Sequence, residues 1–350
     1  MSFIALHGAI RGAAHKACGT MCQDAAISWV SEDGTVVVGA VADGHGDPIC
    51  IRSDIGSGLA ADVAIQSLRN LSGCSFEECR QTGGRVAEAI VSQWFGLVSE
   101  DLQNYPIGED ELEGLDANVI NYWLRTSPTH LYGTTLVAFL VTPSMCFIVQ
   151  QGDGCCAVLL PDGRIWNPVP PDDRCTGNVT TSLSDTDAVS RMRVCIIDLD
   201  EFPIAACYVA SDGIEKSYRD DEGAGEFFKS LTVEIQNKEF SDICQIVRGA
   251  LAEVSDAGSR DDASVAGLVD VALPTELVSK LAASARRYEL THQAEEARAK
   301  LVSMKRKHDL LKKRMIEGDE AAEGEYRQYH AQYKEWKKRE QEAMRHLEAL

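Results

Sequence analysis

No apolar run in this 350-residue chain approaches the ~20 residues that span a bilayer, so no membrane segment is expected. The N-terminus, MSFIALHGAIRGAAHKACG, has a short apolar start with no basic stretch before it, and no signal peptide is expected. Basic residues are scarce: 34 Lys and Arg stand against 54 Asp and Glu, a net charge of −20. Nucleic-acid binding rests on Lys and Arg contacts to phosphates, so that class is excluded. Zinc spacing is missing too. Cys18 and Cys22 have no second Cys/His pair to complete a site. The remaining cysteines are scattered, and Cys146, Cys195 and Cys207 sit among apolar neighbours. That pattern predicts reduced thiols in a cytoplasmic protein.

The charge is unevenly spread. Residues 274–350 carry 17 of the 34 basic and 14 of the 54 acidic residues, which leaves −23 on residues 1–273. An acidic body suits a protein that collects cations. Residues 1–272 alternate short apolar runs with turns, and strands are predicted at 25–30, 35–42, 134–141, 144–151, 155–161, 193–199, 205–211 and 263–270. Helical periodicity appears at 56–71, 85–103, 224–237 and 241–255. Successive strands joined by turns predict antiparallel sheets with helices packed outside them. The Pro-, Asp-, Thr- and Ser-rich segment 161–192 reads as a long loop or small subdomain.

Pro274 marks a change. Beyond it Leu290, Ala294, Ala297, Leu301, Met304, His308, Leu311 and Met315 step by fours and threes. Tyr329, Tyr333, Trp336, Glu340, Ala343, Leu347 and Leu350 do the same. Gly318 and Gly324 read as breakers between them. Two domains are therefore expected: a body over 1–272 and an antiparallel helical hairpin over 273–350, with a dimer seam or a solvated charged helix as the other readings. Residues 280–350 are expected to meet a protein partner or a second copy.

Carboxylates gather at strand ends. VVVGAVADGHGD finishes an apolar strand at Asp43 and Gly44, followed by His45. ACYVASDG ends another at Asp212, SRDDASVAGLV puts Asp261 just before a third, and GTMCQDAAISWV puts Asp24 before a fourth. FIVQQGDGCCAVL holds Asp153 in a turn. One Asp-Gly pair is an ordinary turn former. Several carboxylates brought together repel one another unless cations neutralise them, and oxygen ligands suit Mg²⁺ or Mn²⁺.

The ordered blocks CQDA, VADGHGD, GTTLVAFLV, QGDGCCAVL, ASDGIEKSY and GSRDDASVAGLV span about residues 8–270. They resemble the metal-dependent serine/threonine protein phosphatases of type 2C. The resemblance implies an α+β fold, a four-layer α-β-β-α sandwich of two antiparallel sheets. It implies two Mn²⁺ or Mg²⁺ ions, with a weaker third, and a hydroxide between two of them that attacks phosphoserine or phosphothreonine in a protein substrate. Asp43 matches the bridging ligand, Gly44 a carbonyl ligand, and Asp212 and Asp261 the other carboxylate ligands. Asp24 matches a residue that positions bound water, and Asp153 a ligand of the third ion. His45 matches a general acid. The family's phosphate-gripping arginine falls at Gly19 here; His15, then Lys16 or Arg52, are candidates to replace it. Gln23 stands where an acid is common, Asp262 where Asn is, and Asp47 where Gly is. Thr134 and Thr135 are read as buried strand residues. Two alternatives stay open: an inactive phosphatase fold that binds partners through the hairpin, and a small phosphomonoester as substrate.

Overall fold

Strand β3 (Val37–Asp43) is apolar at nearly every position because it is covered on both faces. Val37 and Val41 point to a core shared with the opposite sheet, while Val38, Ala40 and Ala42 point to a layer of helices. The computed structural model describes residues 3–177, 179–236 and 238–350, less the side chains of residues 126 and 240.

One sheet holds β2 (Asp24–Val30), β3, β4 (Leu136–Val141), β5 (Met145–Gln151) and β8 (Arg193–Asp198), in that order and antiparallel throughout. The other has the order β1 (Phe3–Ile10), β10 (Ala263–Asp270), β9 (Ala206–Ala210), β6 (Cys155–Leu159), β7 (Ile165–Trp166). Val41, Val137, Phe139, Ile148, Val158, Val209 and Leu268 fill the space between the sheets. Helices α2 (Ser53–Arg69) and α3 (Phe76–Asn104) cover the first sheet, and the Trp94 indole N–H donates to Gly56 O at 3.0 Å across them. Helices α7 (Asp221–Ile235) and α8 (Phe240–Ala257) cover the second. This is the expected α-β-β-α sandwich.

Each predicted strand is present. β1 was not among them, because its alternation is blurred by small residues. It pairs with β10 from Phe3↔Asp270 to Ile10↔Ala263. That register brings the corner after β1 to the residues before β10, and the site depends on it. Four shorter helices complete the first unit: α1 (Ala13–Cys18), α4 (Ala117–Thr126), α5 (Ala188–Arg191) and α6 (Asp212–Glu215). In the 161–192 segment, Thr181, Ser182, Leu183 and Ser184 are buried, and Leu183 N donates to Thr134 O at 2.9 Å. That part of the loop is pinned to the sheet. No helix among the described residues is long and apolar enough to cross a membrane.

The chain divides into units 1–278 and 279–350. The second is an antiparallel pair formed by α9 (Thr275–Ile316), which crosses the division, and α10 (Glu320–Glu348). Their lengths, 42 and 29 residues, are less equal than the heptads imply. Leu290, Ala294, Ala297, Leu301, Met304 and Leu311 are buried at the expected steps. Gly318 breaks the chain in the left-handed region (φ 87°), but Gly324 lies inside α10. Asp319 caps that helix, accepting from Ala322 N at 3.1 Å. The arms are joined by Arg298–Glu340 and Lys307–Glu325 ion pairs, at 3.1 and 2.9 Å.

Candidate metal centre

The β2–β3 ladder ends with Asp24 directly opposite Asp43. Both therefore emerge at one end of one sheet. The Asp43 backbone is held on both sides: its N–H donates to Thr135 Oγ1 at 3.1 Å, and its carbonyl accepts from Thr134 Oγ1 at 3.0 Å. Both threonines are buried, as expected. Gly44 N donates to Gln23 O at 3.1 Å. A Cβ on Gly44 would lie 2.6 Å from Ser53 O and 2.7 Å from Gln23 O, so only glycine fits.

The second sheet supplies the rest. Asp261 and Asp262 precede β10. Asp262 is the fastener of the site: its Oδ1 accepts from Gly12 N at 2.7 Å and its Oδ2 from Gln23 N at 2.6 Å. Each Asp262 oxygen accepts one backbone N–H, and an amide in the same place would turn a donor NH2 towards one of them. His15 lies between the pair, with Nε2 3.5 Å from Asp261 Oδ1 and Nδ1 2.9 Å from Asp262 Oδ1. The latter contact is out of line for a hydrogen bond. His15, Asp261 and Asp262 could each offer one atom to a common cation.

Residues Ala14, His15, Gln23, Asp24, Asp43, Gly44, Gly46, Ser259, Asp261 and Asp262 line a cavity of about 350 Å³. The structure thus gathers Asp24, Asp43, Gly44, Asp261 and His15 at one cavity. Asp212 and Asp153 do not line it, but both act electrostatically on Asp43. His45 does not line it either; Asp153, His130, Asp185 and Asp47 act on it electrostatically.

The electrostatics follow from the crowding. Burial, then the carboxylates of Asp24, Asp212, Asp153 and Asp261, hold Asp43 well above the usual carboxylate range. Burial pushes Asp24 up to about 7, against the hydrogen bond it accepts from Ser264 Oγ at 2.6 Å. Burial and Asp153 raise Asp212 to about 6, although Lys216 pairs with it. Burial lowers His45, so its imidazole is neutral at pH 7.

Do these residues fit divalent cations? Three buried polar atoms have no hydrogen-bond partner in residues that line the cavity: His15 Nδ1, Gln23 Oε1 and Asp24 Oδ1. The Gln23 amide is oriented by its Nε2, which donates to Ser53 Oγ at 2.6 Å and His45 O at 3.3 Å. Its oxygen has no hydrogen-bond partner. Unpaired buried acceptors are costly, and a hard cation with its bound waters satisfies them. The residues fit.

The structure bears on the missing arginine at two positions. Gly19 ends α1 in the left-handed conformation (φ 85°), where a side-chain-bearing residue is disfavoured. Arg52 is consumed by structure: it is 5% exposed, forks onto Glu111 at 2.7 and 2.8 Å and donates to the Tyr132 hydroxyl at 2.6 Å. It is therefore withdrawn as a substrate ligand. Sequence reading missed Lys216, Ser264, Ser53 and Thr180, whose hydroxyl donates to Asp153 Oδ1 at 2.8 Å. Only Lys216 left a signal, four residues after Asp212.

A cavity of carboxylate oxygens at the ends of two stacked antiparallel sheets defines a hard-cation centre. The profile of the protein phosphatase 2C family matches residues 11–254, and the chain belongs to that family. Among solved structures, it is similar to the serine/threonine phosphatase Stp1 from Staphylococcus aureus, at 16% identity over 77% of this chain and 96% of that one, with TM-score 0.49. It is similar to the catalytic domain of the serine threonine protein phosphatase PstP in complex with two manganese ions, at 14% identity over 76% and 97%, with TM-score 0.46. A C. elegans sex-determining protein shares 15% identity over 80% of this chain and 67% of its own, with TM-score 0.50. No curated protein matches the chain.

Proposed function

We propose that the chain hydrolyses phosphoserine and phosphothreonine in proteins at a centre of two Mn²⁺ or Mg²⁺ ions. The observation that carries this reading is the convergence of Asp24, Asp43, Gly44 and Asp261 on one cavity with its unpartnered acceptor atoms. Asp43 and the Gly44 carbonyl would hold both ions, with Asp212 and Asp261 as further ligands. When bound, such a pair supplies a nucleophilic hydroxide at neutral pH and offsets the charge of the phosphate. Asp24 and the Gln23 oxygen orient water within the cavity. His15 is the basic side chain among the lining residues and would meet the phosphate there. His45, which stands off the cavity lining, would carry the proton for the leaving serine or threonine oxygen once the phosphate charge raises its affinity for it. The hairpin over 280–350 serves docking or self-association.

The test is hydrolysis of p-nitrophenyl phosphate with and without Mn²⁺, beside Asp43→Ala. Activity that needs Mn²⁺ and disappears in the variant supports the reading. A folded protein with no activity in any divalent ion overturns it and leaves a binding module, with Gly19 as the defect.

A further inference from the structure

We infer that the Lys216 ammonium is a built-in cation of this centre, standing where a third divalent ion would otherwise balance Asp212 and Asp153. The inference rests on the metal-centre reading above.

The placement begins in the backbone. Strand β9 ends at Ala210, and the single turn of α6 opens at Asp212. Lys216 N donates to Asp212 O at 2.8 Å, which closes that turn. Residues four apart lie on one face of a helix, so the Lys216 side chain returns over Asp212. Its ammonium forms an ion pair with the buried Asp212 carboxylate. Asp153 and Asp43 are the next carboxylates that act on it.

Asp24, Asp212, Asp153 and Asp261 act on Asp43, and Asp262 lines the same cavity. Two divalent ions leave this group short of positive charge, and the ammonium supplies one on its Asp212 side. A third divalent ion at Asp212 and Asp153 would have to displace the lysine or sit beside it against like-charge repulsion. The lysine cannot leave solution or be chelated, so the Asp212 side of the centre keeps its counter-charge at any metal concentration. Its role is positional: it touches a ligand, not the substrate.

The experiment counts ions on the full chain. Wild type, Lys216→Met and Lys216→Arg are titrated with Mn²⁺, and free Mn²⁺ is read by electron paramagnetic resonance. Thermal melting confirms that each is folded. Wild type and Lys216→Arg should bind two ions per chain and Lys216→Met three, with the third at Mn²⁺ at least about tenfold below any further binding in wild type. Lys216→Gln replaces the methionine variant if that one does not fold. A wild type that takes three ions overturns the inference and leaves the metal centre standing. So does a folded Lys216→Met that stays at two. A wild type that binds no Mn²⁺ overturns both.

Discussion

Asp24 and Asp43 face each other on the last rung of the β2–β3 ladder. Like charges directly opposite on a sheet are destabilising, and burial compounds the cost. Cations bound there would offset that repulsion. Asp43→Asn is therefore expected to stabilise the metal-stripped protein at pH 7.5, by on the order of 2 kcal/mol, while removing the rise in melting temperature that Mn²⁺ gives wild type. Melting curves in chelator and in Mn²⁺ check both halves. A variant less stable than wild type in chelator would show that the pair is not in conflict.

The same crowding sets a pH dependence. Asp24 titrates near 7 in the fold, above its unfolded value. Between about pH 4 and pH 7 the folded chain keeps a proton that the unfolded chain has released. Its contribution to stability is thus largest at the acid end, declines as pH rises through that window and is flat above it. Melting of metal-stripped wild type and Asp24→Asn across the window isolates this term from the histidines. The advantage of wild type over the variant should shrink as pH rises.

Gly44 is a packing requirement as well as a ligand position. A methyl group there collides with backbone at Ser53 and Gln23, and backbone cannot rotate away. Gly44→Ala should cost about 2 kcal/mol and weaken Mn²⁺ binding by about tenfold or more. Denaturant unfolding and a Mn²⁺ titration measure the two effects separately.

Arg52 should behave as structure alone. Removing it strands Glu111 and Asp101, both of which it pairs with. Arg52→Met is expected to cost about 3 kcal/mol, with KM for p-nitrophenyl phosphate unchanged in the folded fraction. A raised KM with unchanged stability would return Arg52 to the substrate.

Much of this was legible in the residues. The two-sided apolar runs gave the central strands, and the Asp-Gly strand ends gave Asp43 and Asp212 their places. What stayed hidden needed long-range contact. Ala5, Gly8 and Ala9 blur the alternation of β1, and only its register with β10 reveals why His15 meets Asp261. The spacing before Gln23 pointed to Gly19 as a lost arginine, but not to the six-residue helix that ends there in a left-handed turn. Arg52 looked available because nothing local shows that Glu111, 59 residues on, receives it. Asp262 looked like a substitution and is a fastener, since its partners lie 250 and 239 residues away.

The hairpin is expected to carry its own pH response. His308, on an otherwise apolar seam, places Nε2 2.8 Å from Nδ1 of His330. Tyr333 stacks on His308 at 4.4 Å, and Tyr326 stacks on His330 at 5.1 Å. One imidazole must donate and the other accept, so the bond needs at least one neutral ring. Two imidazolium ions at that distance would repel. Asp309 is the acid beside His308, at 3.3 Å. His330 is lowered by burial, then by Lys334, His308 and Lys312. A histidine whose folded pKa lies below its unfolded value lets the unfolded chain bind more protons, so stability is lost as pH falls below about 6.5. A peptide of residues 279–350 should therefore lose helix, read by circular dichroism, at a lower temperature at pH 5.5 than at pH 7.5. His330→Leu should flatten that difference, because one histidine alone has no partner to repel. An equal pH response in the variant would place the sensitivity in the surface ion pairs instead.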